Sequence, residues 1–152
     1  MQMNDSQRIP ASREQVWAAL NDPAVLKQCI PGCQALEVTG PNEMTATVIF
    51  KVGPVKATFG GKVTLSDLDP PNGYRISGEG SGGVAGFAKG GAVVRLESES
   101  ADVTVLHYEV DAQIGSKLAQ LGARLINSTA TKLAGEFFKS FAEVVGVRVE
   151  AV

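Results

Sequence analysis

The chain has 152 residues, 44% of them hydrophobic and 20% charged, which fits a single globular domain of ordinary size. Fourteen basic against sixteen acidic residues leave a net charge of −2, so no basic footprint for nucleic acid is present. The polar start MQMNDSQRIP does not read as a signal peptide, no apolar run reaches the roughly 20 residues that span a bilayer, and two cysteines are too few for a disulfide framework, so Cys29 and Cys33 are expected as reduced thiols in a cytoplasmic protein.

Residues 1–9 read as a first strand. Ser12 followed by Gln15 forms a capping-box pattern, and Val16, Trp17 and Leu20 follow at helical spacing. Asp22 with Pro23 at the first helical position starts a second short helix, with Val25, Leu26 and Cys29 on its apolar face and Pro31-Gly32 at its end. From residue 33 the period changes to two. Met44, Ala46, Val48, Phe50 and Val52 alternate with polar neighbours, as do Val55, Ala57, Phe59, Gly61, Val63 and Leu65. Tyr74, Ile76 and Gly78 continue the pattern, then Ala88, Gly90, Ala92, Val94 and Leu96, then Thr104, Leu106, Tyr108, Val110, Ala112 and Ile114. Half-buried strands joined by turns at Gly53-Pro54 and around residues 69–73 predict an antiparallel sheet with one wet face.

From about Ser116 to Val145 the period returns to 3.6, with Leu118, Gly122, Leu125, Thr129, Leu133, Phe137 and Val144 in one stripe and Leu121 and Ile126 beside it. This predicts one continuous helix, on the order of 40 Å long, that crosses the sheet. The fold class is α+β: a first strand, two short helices, a curved antiparallel sheet of six or seven strands in all, and a long C-terminal helix gripped by it. One domain covers residues 1–152, with a core over 1–146 and a short tail over 147–152.

Many inward positions are small: Ala46, Ala57, Gly61, Gly78, Ala88, Gly90, Ala92 and Ala112, faced by Gly122 at the expected centre of the helix. A close-packed core would fill them with larger side chains, so they predict an apolar cavity; the competing reading is that strand glycines mark bends of the sheet. The glycines of Gly82–Gly86 would permit that segment to move as a lid.

Chemistry-bearing residues are sparse. His107 falls on the wet face beside Glu109 and Arg95, and no metal site is expected. Gly78, Gly80 and Gly83 match G-x-G-x-x-G, but Phe87 to Leu96 reads as a strand rather than the helix a dinucleotide site needs. Tyr74 and Tyr108 are the polar candidates on the inward face, and Thr129 could bond a ligand carbonyl. Lys117, Arg124, Lys132 and Lys139 recur along one helix flank, where an acidic partner or anionic lipid could dock.

Four stretches carry a family resemblance: PAVLKQCIPGC (23–33), GPVKATFGGKVTLSDLDPP (53–71), GEGSGGVAGFAKG (78–90) and LAQLGARLINSTATKLAGEFF (118–138). With the strand pattern they cover nearly all of residues 1–146. The chain resembles the G subunit of carbon monoxide dehydrogenase, within the START-like (SRPBCC, polyketide cyclase-like) helix-grip superfamily. The resemblance implies a hydrophobic cavity and association with a molybdenum-containing dehydrogenase. Relatives have been linked to membrane attachment of that dehydrogenase and to handling of a quinone-like acceptor. Many carry a longer C-terminal extension, where this sequence ends at Val152.

The expectation is therefore a non-enzymatic accessory subunit that binds an apolar molecule such as a quinone or lipid, holds no metal or covalent cofactor, and aids membrane recruitment or assembly of a molybdenum hydroxylase. It is placed in the cytoplasm, with peripheral contact at the inner face of the membrane, and a homo-oligomer is compatible with it. The alternatives are a polyketide cyclase or aromatase-like enzyme on the same fold, and an assembly chaperone without a physiological ligand. The expected ligand-binding residues are Trp17, Leu20, Leu26 and Ile30 from the short helices; Met44, Ala46, Phe50, Phe59, Val63, Tyr74, Ile76, Gly78, Phe87, Ala88, Gly90, Ala92, Val94, Tyr108 and Val110 from the strands; and Leu118, Leu121, Gly122, Leu125, Thr129 and Leu133 from the helix.

Overall fold

The computed structural model describes residues 2–83 and 86–150, without the side chains of 148–150. Strand β1 (Gln2–Ile9) leads into helices α1 (Arg13–Leu20) and α2 (Pro23–Cys29). Six strands follow: β2 (Cys33–Gly40), β3 (Glu43–Val52), β4 (Val55–Asp69), β5 (Gly73–Ser81), β6 (Phe87–Ser100) and β7 (Val103–Ile114). A single helical turn, α3 (Ser116–Ala119), precedes the long α4 (Ala123–Glu150). The strands form one antiparallel sheet in the order β1-β7-β6-β5-β4-β3-β2, so each neighbour from β2 to β7 is a simple hairpin and β1 closes onto β7.

Local chemistry explains the element boundaries. The Ser12 hydroxyl accepts from the Gln15 N–H at 3.2 Å, while the Ser12 N–H donates to Gln15 Oε1 at 3.0 Å, which completes the capping box. The Asp22 carboxylate accepts from the Ala24 N–H at 2.9 Å, and Pro23 occupies the first turn, where no backbone donor is needed. The observed register keeps the period-two set together: Met44, Val63, Gly78, Gly90 and Ala112 form one row across five strands, and Ala46, Gly61, Gly80, Ala88 and Ile114 form the next.

The predicted continuous helix is interrupted. Gly122 has φ +97°, outside the range a helix admits, and the chain turns there between α3 and α4. The apolar stripe misleads because Leu118 and Ile126 both pack into the same buried cluster from either side of the break. Gly122 is exposed, so it does not face the sheet from the centre of a helix. At its other end α4 runs on to Glu150, through the first part of the expected tail. Of the Gly82–Gly86 segment, whose composition would permit motion, residues 84 and 85 lie outside the described residues, as do 151 and 152 of the tail.

The buried side chains form two clusters rather than one. The larger joins α1, α2, β1 and the C-terminal half of α4 to the near ends of β3 to β7, around Ile9, Leu20, Leu26, Leu106, Phe141 and Val145. Thr104 is fully buried within this half, and its hydroxyl donates to the Ala11 carbonyl at 2.8 Å. The smaller cluster lies at the other end of the sheet and holds Val52, Ala57, Phe59, Leu118 and Ile126. The rows of small residues lie between the two.

Candidate functional site: an apolar cavity on the inner sheet face

A cavity of about 320 Å³ opens on the inner face, with Ala46, Val48, Phe50, Phe59, Gly61, Val63, Gly78, Gly80, Ala88, Gly90, Ala112 and Ile114 as its apolar wall. This volume lies in the range of small-molecule sites. Phe50 and Phe59 stack at 4.6 Å between centroids with an interplanar angle of 12°, giving one flat aromatic wall. Lys62, Glu79, Lys89 and Gln113, which alternate with the inward positions along their strands, also line it.

The glycines and alanines of this floor do different work. A Cβ on Gly61 would overlap the Glu79 carbonyl oxygen; on Gly80 it would lie 2.8 Å from the Gly60 carbonyl oxygen, and on Gly90 2.8 Å from that of Asp111. At these three positions the neighbouring strand approaches too closely for any side chain, so the bend of the sheet requires glycine. Gly78 differs: its nearest non-local atom would be 3.8 Å away, at ordinary contact distance. Bend and cavity are thus one feature. Glycines curve the sheet, and Gly78, Ala46, Ala88 and Ala112 leave the concavity unfilled.

The expected ligand-binding residues divide into three groups. Ala46, Phe50, Phe59, Val63, Gly78, Ala88 and Gly90 line the cavity. Met44, Ile76, Ala92 and Val110 continue the inward alternation but belong to or pack against the larger cluster, and Leu121 in the turn before α4 and Leu125, Thr129 and Leu133 on α4 are half-buried. The rest are elsewhere. Leu20, Leu26 and Val94 are fully enclosed in the larger cluster, Trp17 and Ile30 pack against it, and Leu118 is buried in the smaller one. Phe87 is on the opposite phase of β6 from Ala88 and is 44% exposed, because strict alternation sends it outward. Val48, Gly80, Ala112 and Ile114 line the cavity and are absent from the expected set, although Val48, Ala112 and Ile114 stand in the alternation itself.

The tyrosines are not equivalent. Tyr74 is buried, packs edge-on against Trp17, and its hydroxyl donates to the Leu20 carbonyl at 3.0 Å; burial pushes its pKa well above the usual range. It is a structural strut holding α1 to β5. Tyr108 stacks on Phe138 at 4.1 Å, and burial, with the Asp5 carboxylate as a lesser cause, also pushes its pKa up. Both phenols are held neutral.

The histidine and the two cysteines lie off the cavity. His107 pairs with Glu97 at 2.9 Å on the exposed face. Burial pushes the Cys29 thiol up to about 11 and, more weakly, raises Cys33, whose Sγ donates to the Ala35 carbonyl at 3.4 Å; both thiols are free. Among the described residues no group of three His, Cys, Asp or Glu side chains could hold a metal ion, and no helix is long and apolar enough to cross a membrane. A groove of about 280 Å³ lies on the outer face of the same glycine patch. There the Arg75 guanidinium passes over Gly91 to reach Asp111 at 3.1 Å, so its walls are charged and paired rather than apolar.

A family model for the G subunit of carbon monoxide dehydrogenase (CoxG) matches residues 6–146. A conserved protein from Geobacillus kaustophilus has a solved structure 30% identical to this chain, with a TM-score of 0.90 over 96% of this chain and 95% of that one. A START superfamily protein from Mycobacterium smegmatis is 16% identical, with a TM-score of 0.67 over 99% and 97% of the two chains. The Zhui aromatase/cyclase from Streptomyces sp. R1128 is 13% identical, with a TM-score of 0.69 over 98% and 95%. No curated protein matches by sequence. The fold is therefore the START-like helix-grip fold that the family resemblance implied, and its neighbours include an aromatase/cyclase.

Proposed function

The chain belongs to the CoxG family, that of the carbon monoxide dehydrogenase G subunit, and from that premise we propose that it is a non-enzymatic carrier of an apolar molecule, a quinone or lipid, that serves a molybdenum-containing dehydrogenase. The observation that supports this most is the character of the cavity: a stacked aromatic wall and an alanine-glycine floor. Such a site gains binding energy from removing apolar surface from water, roughly 25 cal/mol per Å² buried. Neither tyrosine is among its lining residues, Tyr74 spends its hydroxyl on Leu20, and its titratable lining residues Lys62, Glu79 and Lys89 alternate with the inward positions, which supports carrying over catalysis.

The test is native mass spectrometry of protein purified without detergent, followed by titration with a short-chain quinone. The expected result is a co-purifying apolar molecule, or uptake of one equivalent of quinone by the empty protein. Empty protein that takes up neither quinone nor lipid overturns the proposal and favours an assembly chaperone. Co-elution with the purified dehydrogenase in size-exclusion chromatography tests the second half of the reading.

An enzymatic reading rests on the cyclase-type neighbour and would have to use Tyr108, which lies beside Asp5. It requires that a substrate be turned over and that Tyr108→Phe abolish turnover while the substrate still binds.

A further inference from the structure

The cavity and the smaller buried cluster share side chains. Phe50, Phe59, Ala88 and Ile114 line the one and belong to or pack against the other. The cluster is therefore the end wall of the cavity, on the side of the β3–β4 turn. Opposite these strand residues the wall is completed by Leu118 of α3 and Ile126 of α4, 3% and 8% exposed. A wall in this place sets how long an enclosed molecule can be.

The two helical members of this wall are held very differently. α4 has 28 residues, and its far half is fixed by Phe138, Phe141 and Val145 in the larger cluster. α3 has four residues, of which Leu118 alone is buried while Ser116, Lys117 and Ala119 are exposed. No side chain caps its start. One end is tied down, where the Gly115 N–H donates to the Phe87 carbonyl at 2.8 Å. The other end turns at Gly122, whose φ of +97° favours glycine and where an added Cβ would meet nothing within 4 Å. Half-buried Leu121 adds a lesser contact to the cluster. A helical turn with so few apolar contacts sits at the low end of local stability.

We propose that Leu118 is the end stop of the cavity and sets the length of hydrocarbon chain that an apolar ligand can bury there. The proposal rests on the carrier reading and adds to it a determinant of ligand size. Truncating Leu118, or shifting α3, lengthens the cavity between Phe59 and Ile126, because the leucine fills the end of a space that those side chains bound. The stop is carried on a small turn held mainly by one side chain. A chain slightly too long therefore pushes it aside instead of being refused, and the surplus methylenes reach solvent without a gain in affinity. Ile126 is also buried but is carried on the firmly anchored α4, so it does not yield in the same way.

The test is calorimetric titration of the full chain with a series of para-alkylphenols, from butyl to nonyl. Each methylene removed from water raises affinity roughly fourfold. In the wild type, affinity should climb by that factor per methylene and then level off at the length where the chain reaches Leu118. In Leu118→Ala the levelling-off should move out by about two methylenes, so that the longest phenols bind on the order of tenfold tighter than to the wild type. Leu118→Phe should move it in the opposite direction, and it decides the question if Leu118→Ala fails to fold. Val145→Ala thins the larger cluster instead and should level off where the wild type does, which separates the end stop from a general loss of stability. Levelling-off at one common length in the wild type and the folded Leu118 variants overturns the proposal and leaves the carrier reading standing. Phenols that bind neither the wild type nor the variants at any length overturn both.

Discussion

At the end of the sheet covered by α1 and α2, the inward positions and the helices above them present Ile9, Leu20, Leu26, Leu106, Phe141 and Val145, all nearly inaccessible to water. A few residues further along the same strands the alternation continues without a break, yet the inward positions hold Ala46, Gly61, Gly78, Gly80, Ala88, Gly90 and Ala112. Both regions obey one period and belong to one hydrogen-bonded sheet. They differ in side-chain volume, and that difference separates what holds the fold together from what leaves room for a ligand. Periodicity sets which residues point inward; volume sets whether the interior closes.

The sharpest contrast comes from opposite substitutions in the two regions. Phe141→Ala in the closed region should cost about 3–5 kcal/mol in urea unfolding, through lost burial and the void left behind. Gly78→Leu in the open region adds volume where nothing is packed, and should change stability by less than about 1.5 kcal/mol while blocking ligand uptake. Similar losses for the two would mean that the open region is packed after all.

A smaller effect separates the glycines within the open region. Gly61→Ala places a methyl group on the Glu79 carbonyl oxygen and should destabilise by about 1–3 kcal/mol. Gly78→Ala should be close to neutral or slightly stabilising, since only the unfolded chain loses freedom. Thermal unfolding of the pair distinguishes a bend requirement from a cavity requirement; equal effects would remove the distinction.

The closed region also predicts a pH dependence, smaller again. Burial raises the Cys29 thiol from its ordinary 9.0 to about 11, so the unfolded chain releases that proton first as pH rises. The associated stability is fully present below pH 9 and is lost as pH rises toward 11, with Tyr74 acting in the same direction. Between pH 8 and 10.5 the wild type should lose on the order of 1–2 kcal/mol more than Cys29→Ala. Parallel decline of the two proteins in urea unfolding would exclude Cys29 as a cause.

The comparison also shows what a sequence makes legible. Alternation and capping chemistry specify the strands, the two short helices and the inward rows, because each is decided by neighbours along the chain or by one polar partner. The break at Gly122 is not legible in the same way. Leucines on both sides keep helical spacing, and only the backbone torsion shows that the chain turns there. Phe87 illustrates a different limit: aromatic character suggests a wall, while the phase set by Ala88 sends the ring outward. Trp17 and Tyr74, expected around a ligand, instead brace α1 against β5, a contact between residues far apart along the chain. The dual role of the glycines depends on how closely strands approach, a property of the assembled sheet.

The central claim, that the open region receives an apolar ligand while the closed region remains structural, is tested most directly by methyl NMR during titration with a short-chain quinone. The account predicts that the methyl signals of Ala46, Ala88, Ala112 and Ile114 shift together and saturate, while those of Val16, Leu106 and Val145 stay in place. Saturating quinone that leaves the first group unmoved, or that shifts the closed-core methyls instead, would contradict it.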